Sequence, residues 1–258
     1  MKAVAALLAL MLTLTCTVRV HAADPGPTLV SREYTDVVAP AEQVAYEAGI
    51  KAYNQCLREH DFKYSWTAWV HETGDTFSYS YTTDLLPWAA FDAMHAAAHA
   101  CDPVLRSSVN PHLKSEMGGF TQMLPELSHL SKGQHANEPL LEVNNIKLKP
   151  GHEPEETFVD VMQKVTAAAE KTHWNYYYAI SAVRDTDSNT PNFTLAISSR
   201  SWAELGTEPE TPMWTMVATV YGKDTAQAMR KSLNDALDYE TNYIKSYSAE
   251  LSYKASDK

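Results

Sequence analysis

The feature that most constrains this chain is its likeness to itself. A shift of 124 residues sets Val104-Leu105-Arg106-Ser107-Ser108-Val109-Asn110 on Ala228-Met229-Arg230-Lys231-Ser232-Leu233-Asn234 without a gap. The same shift pairs Leu113 with Leu237, Glu116 with Glu240, and Glu126-Leu127-Ser128 with Glu250-Leu251-Ser252. Upstream, a shift of 112 pairs Tyr46, Ile50, Tyr53 and Leu57 with Phe158, Met162, Val165 and Ala169, then Phe62 and Tyr64 with Trp174 and Tyr176. There the match is of apolar pattern more than of identity. The residues gained between the two shifts fall in loops at 185–192 and 206–211. A chain written twice is expected to fold as two like units, here 23–137 and 138–258.

Each unit reads in one order. Residues 28–38 form an extended stretch, and Pro40 introduces a helix whose apolar positions Tyr46, Ile50, Tyr53 and Leu57 recur at helical spacing. The second unit repeats this as 140–148 and a helix over about 154–171. Aromatic-rich hairpins follow, 62–71 with 77–81 around Glu72-Thr73-Gly74-Asp75, and 174–184 with 193–198 around a longer polar turn. Next come helical pairs: 88–101 then Asp102 onward, and 212–221 then Asp224 onward. Gly222 fits a helix stop, Asp102 and Asp224 fit N-caps, and Pro111 forces a kink or a break. The shared Glu-Leu-Ser is expected to end each unit as a short strand.

Strand, helix, two strands, helices, strand is the order of a ferredoxin-like α+β unit, a four-stranded antiparallel sheet with helices on one face. Exposing the other face costs roughly 25 cal/mol per Å² of apolar surface, and a second such sheet is the simplest cover. With Trp174-Asn175-Tyr176-Tyr177-Tyr178, Asn192-Phe193-Thr194-Leu195 and Ser201-Trp202-Ala203-Glu204-Leu205, this pattern resembles the dimeric α+β barrel superfamily in a tandemly fused form, from about Thr28 to Tyr253. The resemblance implies two ferredoxin-like repeats forming an intramolecular barrel. The superfamily holds monooxygenases, haem-degrading and haem-dependent enzymes, isomerases and stress-response proteins, so the resemblance does not choose a reaction.

Lys2 followed by an apolar run over 3–14, too short to span a bilayer, and the ending Val20-His21-Ala22 read as a secretory signal, with cleavage after Ala22. Cys16 suggests a lipid anchor, but Thr15 stands where that site wants a smaller residue. Losing Lys2 and Arg19 takes the net charge from −11 to −13, which argues against a nucleic-acid surface. Export makes a disulfide the natural reading of Cys56 and Cys101, with two buried thiols as the alternative. No membrane contact is expected after cleavage, and a monomer follows if each sheet covers the other.

Strand alternation divides the hairpins into two faces: Tyr64, Trp66, Ala68 and Val70 against Lys63, Ser65, Thr67, Trp69 and His71, and Trp174, Tyr176, Tyr178, Ile180 and Ala182 against Asn175, Tyr177, Ala179, Ser181 and Val183. The aromatic faces either line a ligand pocket between the sheets or simply pack, and Tyr64, Trp66, Tyr176 and Tyr178 are the candidate ligand-binding residues. His95 and His99, one helical turn apart, are a weak metal or haem pair lacking a third local ligand. Asp185, Asp187 and Asn189 imitate a calcium loop that fails at Thr190, Pro191 and Ala196. His60-Asp61, His71, Glu72 and Asp75 read as helix-end and turn residues, so no catalytic residue is assigned. Asn192-Phe193-Thr194 is a glycosylation sequon if the source is eukaryotic. Nucleophile-elbow, phosphate-loop and dinucleotide signatures are absent.

Three functions fit these residues. The first is an exported protein holding a small apolar or aromatic molecule between its sheets, with no cofactor. The second is a monooxygenase-like enzyme acting on a planar substrate without a bound cofactor. The third places haem or a metal near His95 and His99.

Overall fold

The structure is a computed structural model, and it describes residues 28–131, 138–184 and 190–255. The expected signal, the Asp185, Asp187 and Asn189 turn, and the residues just before the expected boundary at 137/138 lie outside that range. The first half runs β1 (Leu29–Val38), α1 (Gln43–Glu59), β2 (Trp66–His71), β3 (Ser78–Thr83), β4 (Leu86–Pro87), α2 (Ala90–Ala98), α3 (Asp102–Ser108) and β5 (Leu113–Met123). The second runs β6 (Leu140–Leu148), α4 (His152–Thr172), β7 (Ala179–Val183), β8 (Phe193–Ser199), α5 (Trp202–Leu205), α6 (Met213–Tyr221), α7 (Lys223–Ala236) and β9 (Leu237–Tyr253). No helix among the described residues is long and apolar enough to cross a membrane.

The strands order as β5-β1-β3-β2 in the first half and β9-β6-β8-β7 in the second, the same ferredoxin-like arrangement twice. The outer strand β2 pairs with β9, and β7 pairs with β5, so the two sheets close into one antiparallel barrel of eight strands. Closure leaves no long unpaired sheet edge between the halves. The registers match as well. After a one-residue slip in each half, Val38 faces Leu113 and Leu148 faces Leu237, so the two leucines aligned by the 124-residue shift open their final strands at equivalent places.

Alternation along each strand sends one set of side chains outward under the helices and the other into the barrel. Val30, Tyr34, Asp36 and Val38 on β1, Trp66 and Ala68 on β2, and Tyr79 and Tyr81 on β3 face α1, α2 and α3. Ile146, Leu148, Ile180, Phe193 and Leu195 meet α4, α6 and α7 in one continuous core. The barrel interior receives Glu33, Thr35, Trp69, His71, Ser80, Tyr243 and Lys245. The aromatic stripe containing Trp66 therefore belongs to the helix-covered face, and the more polar face of the hairpin lines the barrel. A helix layer, with its broad apolar stripe, is the better cover for the more apolar face.

Several local expectations need correction. Glu126-Leu127-Ser128 does not end the first half as a strand; it lies at a short turn beginning at Pro125, after β5 has stopped at Met123. Ser128 Oγ there donates to the Leu124 carbonyl at 2.7 Å, closing the turn. The matching Glu250-Leu251-Ser252 is inside β9, a strand of 17 residues. Asp102 and Asp224 fall in the first turns of α3 and α7 without capping the helix end. The helix ends at Ser108, before Pro111, which lies in a short turn over Asn110–His112 that leads into β5. Gly222 ends α6 at φ 86°, a conformation that favours glycine.

Candidate functional site

The helix-covered core of the first half is split. One buried cluster gathers Cys56, Leu57, Phe62, Phe91 and Met94, another Tyr46, Ile50, Tyr79, Tyr81 and Val109, and a cavity of about 260 Å³ draws its wall from both. Ile50, Tyr53, Phe62, Trp66, Met94 and Leu105 make that wall mainly apolar. Its size lies just under the range of about 300–1,000 Å³ common for drug-sized ligands, so it suits a molecule of two or three fused rings. His95 and Glu116, both exposed, also line it and mark its mouth.

A chain of polar groups runs along one side. Tyr81 and Tyr46 share a hydroxyl–hydroxyl hydrogen bond of 2.7 Å, and the Tyr46 hydroxyl donates to Asp36 Oδ2 at 2.6 Å. Asp36 is 4% exposed and stands opposite Glu116 across the β1–β5 ladder. Burial pushes the Asp36 carboxyl up to about 7, Glu116 adds to the rise, and the Tyr46 hydrogen bond works against it. Asp36 Oδ1 is buried with no donor. Burial, and then Tyr81 and Asp36, hold the Tyr46 phenol far above its usual range. Trp66 Nε1 is a second buried polar atom with no partner in this wall.

The second half is an internal comparison. The registers place Ile146 where β1 has Asp36, and Leu195 where β3 has Tyr81; the helix alignment places Phe158 where α1 has Tyr46. Phe158 stacks on Phe193 at 4.4 Å, as Tyr46 packs on Tyr79 at 4.8 Å. The same architecture is thus completed with apolar residues. Geometry alone does not require the Asp36–Tyr46–Tyr81 chain.

The four aromatic residues expected to bind a ligand are scattered. Trp66 borders the cavity and packs on Tyr53, Phe62 and Tyr253. Tyr64 packs on Phe62 in the neighbouring cluster. Tyr176 and Tyr178 belong to the second-half core, where the Tyr178 hydroxyl is 3.0 Å from Thr166 Oγ1. None of the four lies between the sheets, and they are not brought to one site. Cys56 and Cys101 are disulfide-bonded, tying α1 to the turn after α2. Asp36, Tyr46, Tyr81 and Glu116 do not stand out as a group in the sequence, because they meet only through strand register.

Among the described residues, His95 and His99 are not gathered into a group of three ligands. His95 is exposed at the mouth, and His99 is exposed and engaged with Asp102 at 2.8 Å. Among the described residues, the one group of three with ligand atoms within 4.8 Å is Cys56, His60 and Cys101, whose sulfurs are bonded to each other. His95 and His99 therefore have no third metal ligand beside them among the described residues.

Two other polar places are already satisfied. A broader depression of about 360 Å³ beside His129 and Glu170 has its imidazole engaged by Glu170 Oε1 and the Trp174 carbonyl, both at 2.8 Å. Inside the barrel, Lys245 pairs with Glu33 at 3.3 Å, and His71 bonds Ser80 at 2.7 Å and stacks on Tyr243.

No family model and no curated protein matches the sequence. Solved structures do resemble it. An anthrone oxidase-like protein superposes with a TM-score of 0.55 at 8% identity, covering 90% of this chain and 95% of that one. A protein of Lactobacillus acidophilus NCFM, provisionally described as a monooxygenase, gives 0.51 at 8% identity with coverage of 88% and 97%. A chlorite dismutase from Candidatus Nitrospira defluvii gives 0.51 at 9% identity with coverage of 88% and 93%. At such identities the likeness is one of fold, and the fold is that of the dimeric α+β barrel proteins, its eight strands closed here within a single chain.

Proposed function

We propose that the cavity of the first half is the working site, that it takes a small, neutral, planar and mostly apolar molecule bearing a weakly acidic proton, and that Asp36 accepts that proton. The observation that carries this reading is the buried Asp36–Tyr46–Tyr81 chain on the wall of an apolar cavity, at positions where the other half has Ile146, Phe158 and Leu195. A carboxyl raised to about 7 is matched to proton transfer near neutral pH. Two carboxyls among the lining residues disfavour an anionic ligand, so a neutral acid is the form that enters.

The reaction in keeping with this site is cofactor-independent oxidation by dioxygen. Removal of a proton from an activated methylene leaves an electron-rich carbanion or enolate, which reduces dioxygen itself. In balance, the methylene and one dioxygen become a carbonyl and one water: one oxygen atom joins the carbon, and the other leaves with both methylene hydrogens. The substrate supplies the electrons and the protein handles the protons. Resemblance to an anthrone oxidase-like protein supports anthrone as the test compound. Oxygen uptake matched one-to-one by quinone formation, at a rate above the spontaneous one and lost in Asp36→Asn, is the expected result. Uptake no faster than without protein, while anthrone still binds, would leave a ligand-holding protein and remove the enzyme.

The same proposal includes export with cleavage after Ala22, for which the disulfide is the supporting feature. It also takes the two halves as a tandem duplication, supported by their common strand order and equivalent register slips. A barrel closed by its own two sheets supports a monomer.

A further inference from the structure

We propose that Tyr81, Tyr46, Asp36 and Glu116 form a proton relay from the wall of the cavity to solvent at its mouth, with Asp36 and Glu116 holding the last proton in common. This deepens the reading of the cavity as an acid–base site and rests on it. The hydrogen-bonded part of the relay runs from Tyr81 through Tyr46 to Asp36, and cross-strand register sets Glu116 opposite Asp36 for the last step. Tyr81 lines the cavity, the Tyr81–Tyr46 and Tyr46–Asp36 contacts are 2.7 and 2.6 Å, and Glu116 is exposed and paired in register with Asp36. Hydroxyls both donate and accept, so each tyrosine can take a proton from the side facing the cavity while passing its own onward. Neither phenol needs to ionise. The buried carboxyl receives the proton, and the exposed one returns it to water.

Every titratable group around Asp36 fits this direction of travel. Tyr46 and Glu47 come from α1, Tyr79 and Tyr81 from β3, Glu116 from β5, Tyr34 from its own strand, and His95 from α2 at the mouth. Glu47 is occupied with the Tyr79 hydroxyl at 2.8 Å. Arg32, the cation on the same face of β1, stacks between the Tyr34 and Phe120 rings at 4.6 and 4.5 Å. Apart from His95 at the mouth, the groups facing Asp36 are carboxyls and phenols, which favour a retained proton over an ion pair.

Infrared titration of the full chain tests the relay without any ligand. A protonated carboxylic acid has a carbonyl stretch apart from the amide bands that shifts in D2O. The expected result is such a band persisting above pH 5, disappearing with a midpoint near 7 and missing in Asp36→Asn. Glu116→Gln, a surface change, lowers the midpoint by roughly one pH unit because a like charge is gone, and Tyr46→Phe raises it because a hydrogen bond to the carboxylate is lost. A band that vanishes by pH 5, or a midpoint indifferent to Glu116→Gln, overturns the relay. 2-Naphthol, an acid that strengthens on excitation, then separates relay from cavity. Bound at pH 8, it should emit as naphtholate in the native protein and as neutral naphthol in Tyr81→Phe. Binding with neutral emission in both proteins contradicts the relay but keeps the cavity, and no binding contradicts the cavity.

Discussion

At Asp36 the chain puts a carboxyl where its own second half puts Ile146, and at Tyr46 and Tyr81 it puts hydroxyls where Phe158 and Leu195 pack instead. Removing one member should be costly and removing all three should not. Tyr46→Phe leaves a buried carboxyl oxygen without its donor and should cost about 1–3 kcal/mol in denaturant unfolding. The combination Asp36→Ile, Tyr46→Phe and Tyr81→Leu borrows the second-half solution. It should be as stable as the native chain to within about 1 kcal/mol, or more stable, since none of the three exchanges leaves a buried polar group newly unpaired. Loss of several kcal/mol in the triple variant would mean that the chain of hydroxyls is structural.

The pH dependence of stability follows from the same residue and from His71. Asp36, raised from 3.8 to about 7, contributes fully below its unfolded value and loses that contribution as pH rises through 7. His71, lowered from 6.5 to about 4 by burial and by Lys245, contributes fully above 6.5 and loses it as pH falls through 4. Between about pH 4 and 6.5 the two act in opposite directions at about 1.4 kcal/mol per pH unit each. Unfolding free energies should therefore stay nearly level across that window in the native protein, and rise with pH in Asp36→Asn. An equal slope in both proteins would contradict the assignment.

Strands and helices were legible to different degrees. The helix over Tyr46, Ile50, Tyr53 and Leu57 showed itself because apolar residues three and four apart share one face only when the chain is helical. The two faces of the first hairpin were separable by alternation, but which face met the helices was not, since both carry a tryptophan. Trp69 and His71 face the barrel, and Trp66 faces the cavity. The Glu-Leu-Ser repeat misled because identical side chains serve a turn in one place and a long strand in the other. At this scale the ion pair between β1 and β9 is informative, because Lys245 is 3% exposed and bridges the barrel interior to Glu33. Glu33→Gln strands a buried cation and should cost about 3 kcal/mol, whereas Glu33→Leu with Lys245→Met should recover most of it. A double variant no better than the single one would show that the pair does more than neutralise itself.

The whole molecule is an eight-stranded barrel with a helix layer over each sheet, and its halves differ in what lies beneath those layers. Topology was readable because element order and the likeness of the two halves imposed it together. The cavity was not readable, because an empty space is the sum of many side-chain volumes, and Tyr46, Tyr81 and Asp36 are far apart until β1, α1 and β3 assemble. Site, relay and reaction all require that a ligand enter beneath the helices of the first half. Methionine methyl NMR offers a reporter in each compartment: Met94 on that cavity, Met216 in the second-half core, and Met123 on the barrel side of β5. Titrating 2-naphthol into methyl-labelled protein should move Met94 through the ring current of the bound molecule and leave Met216 and Met123 where they are. Displacement of Met123 or Met216 with Met94 unmoved would place the ligand elsewhere and contradict that requirement.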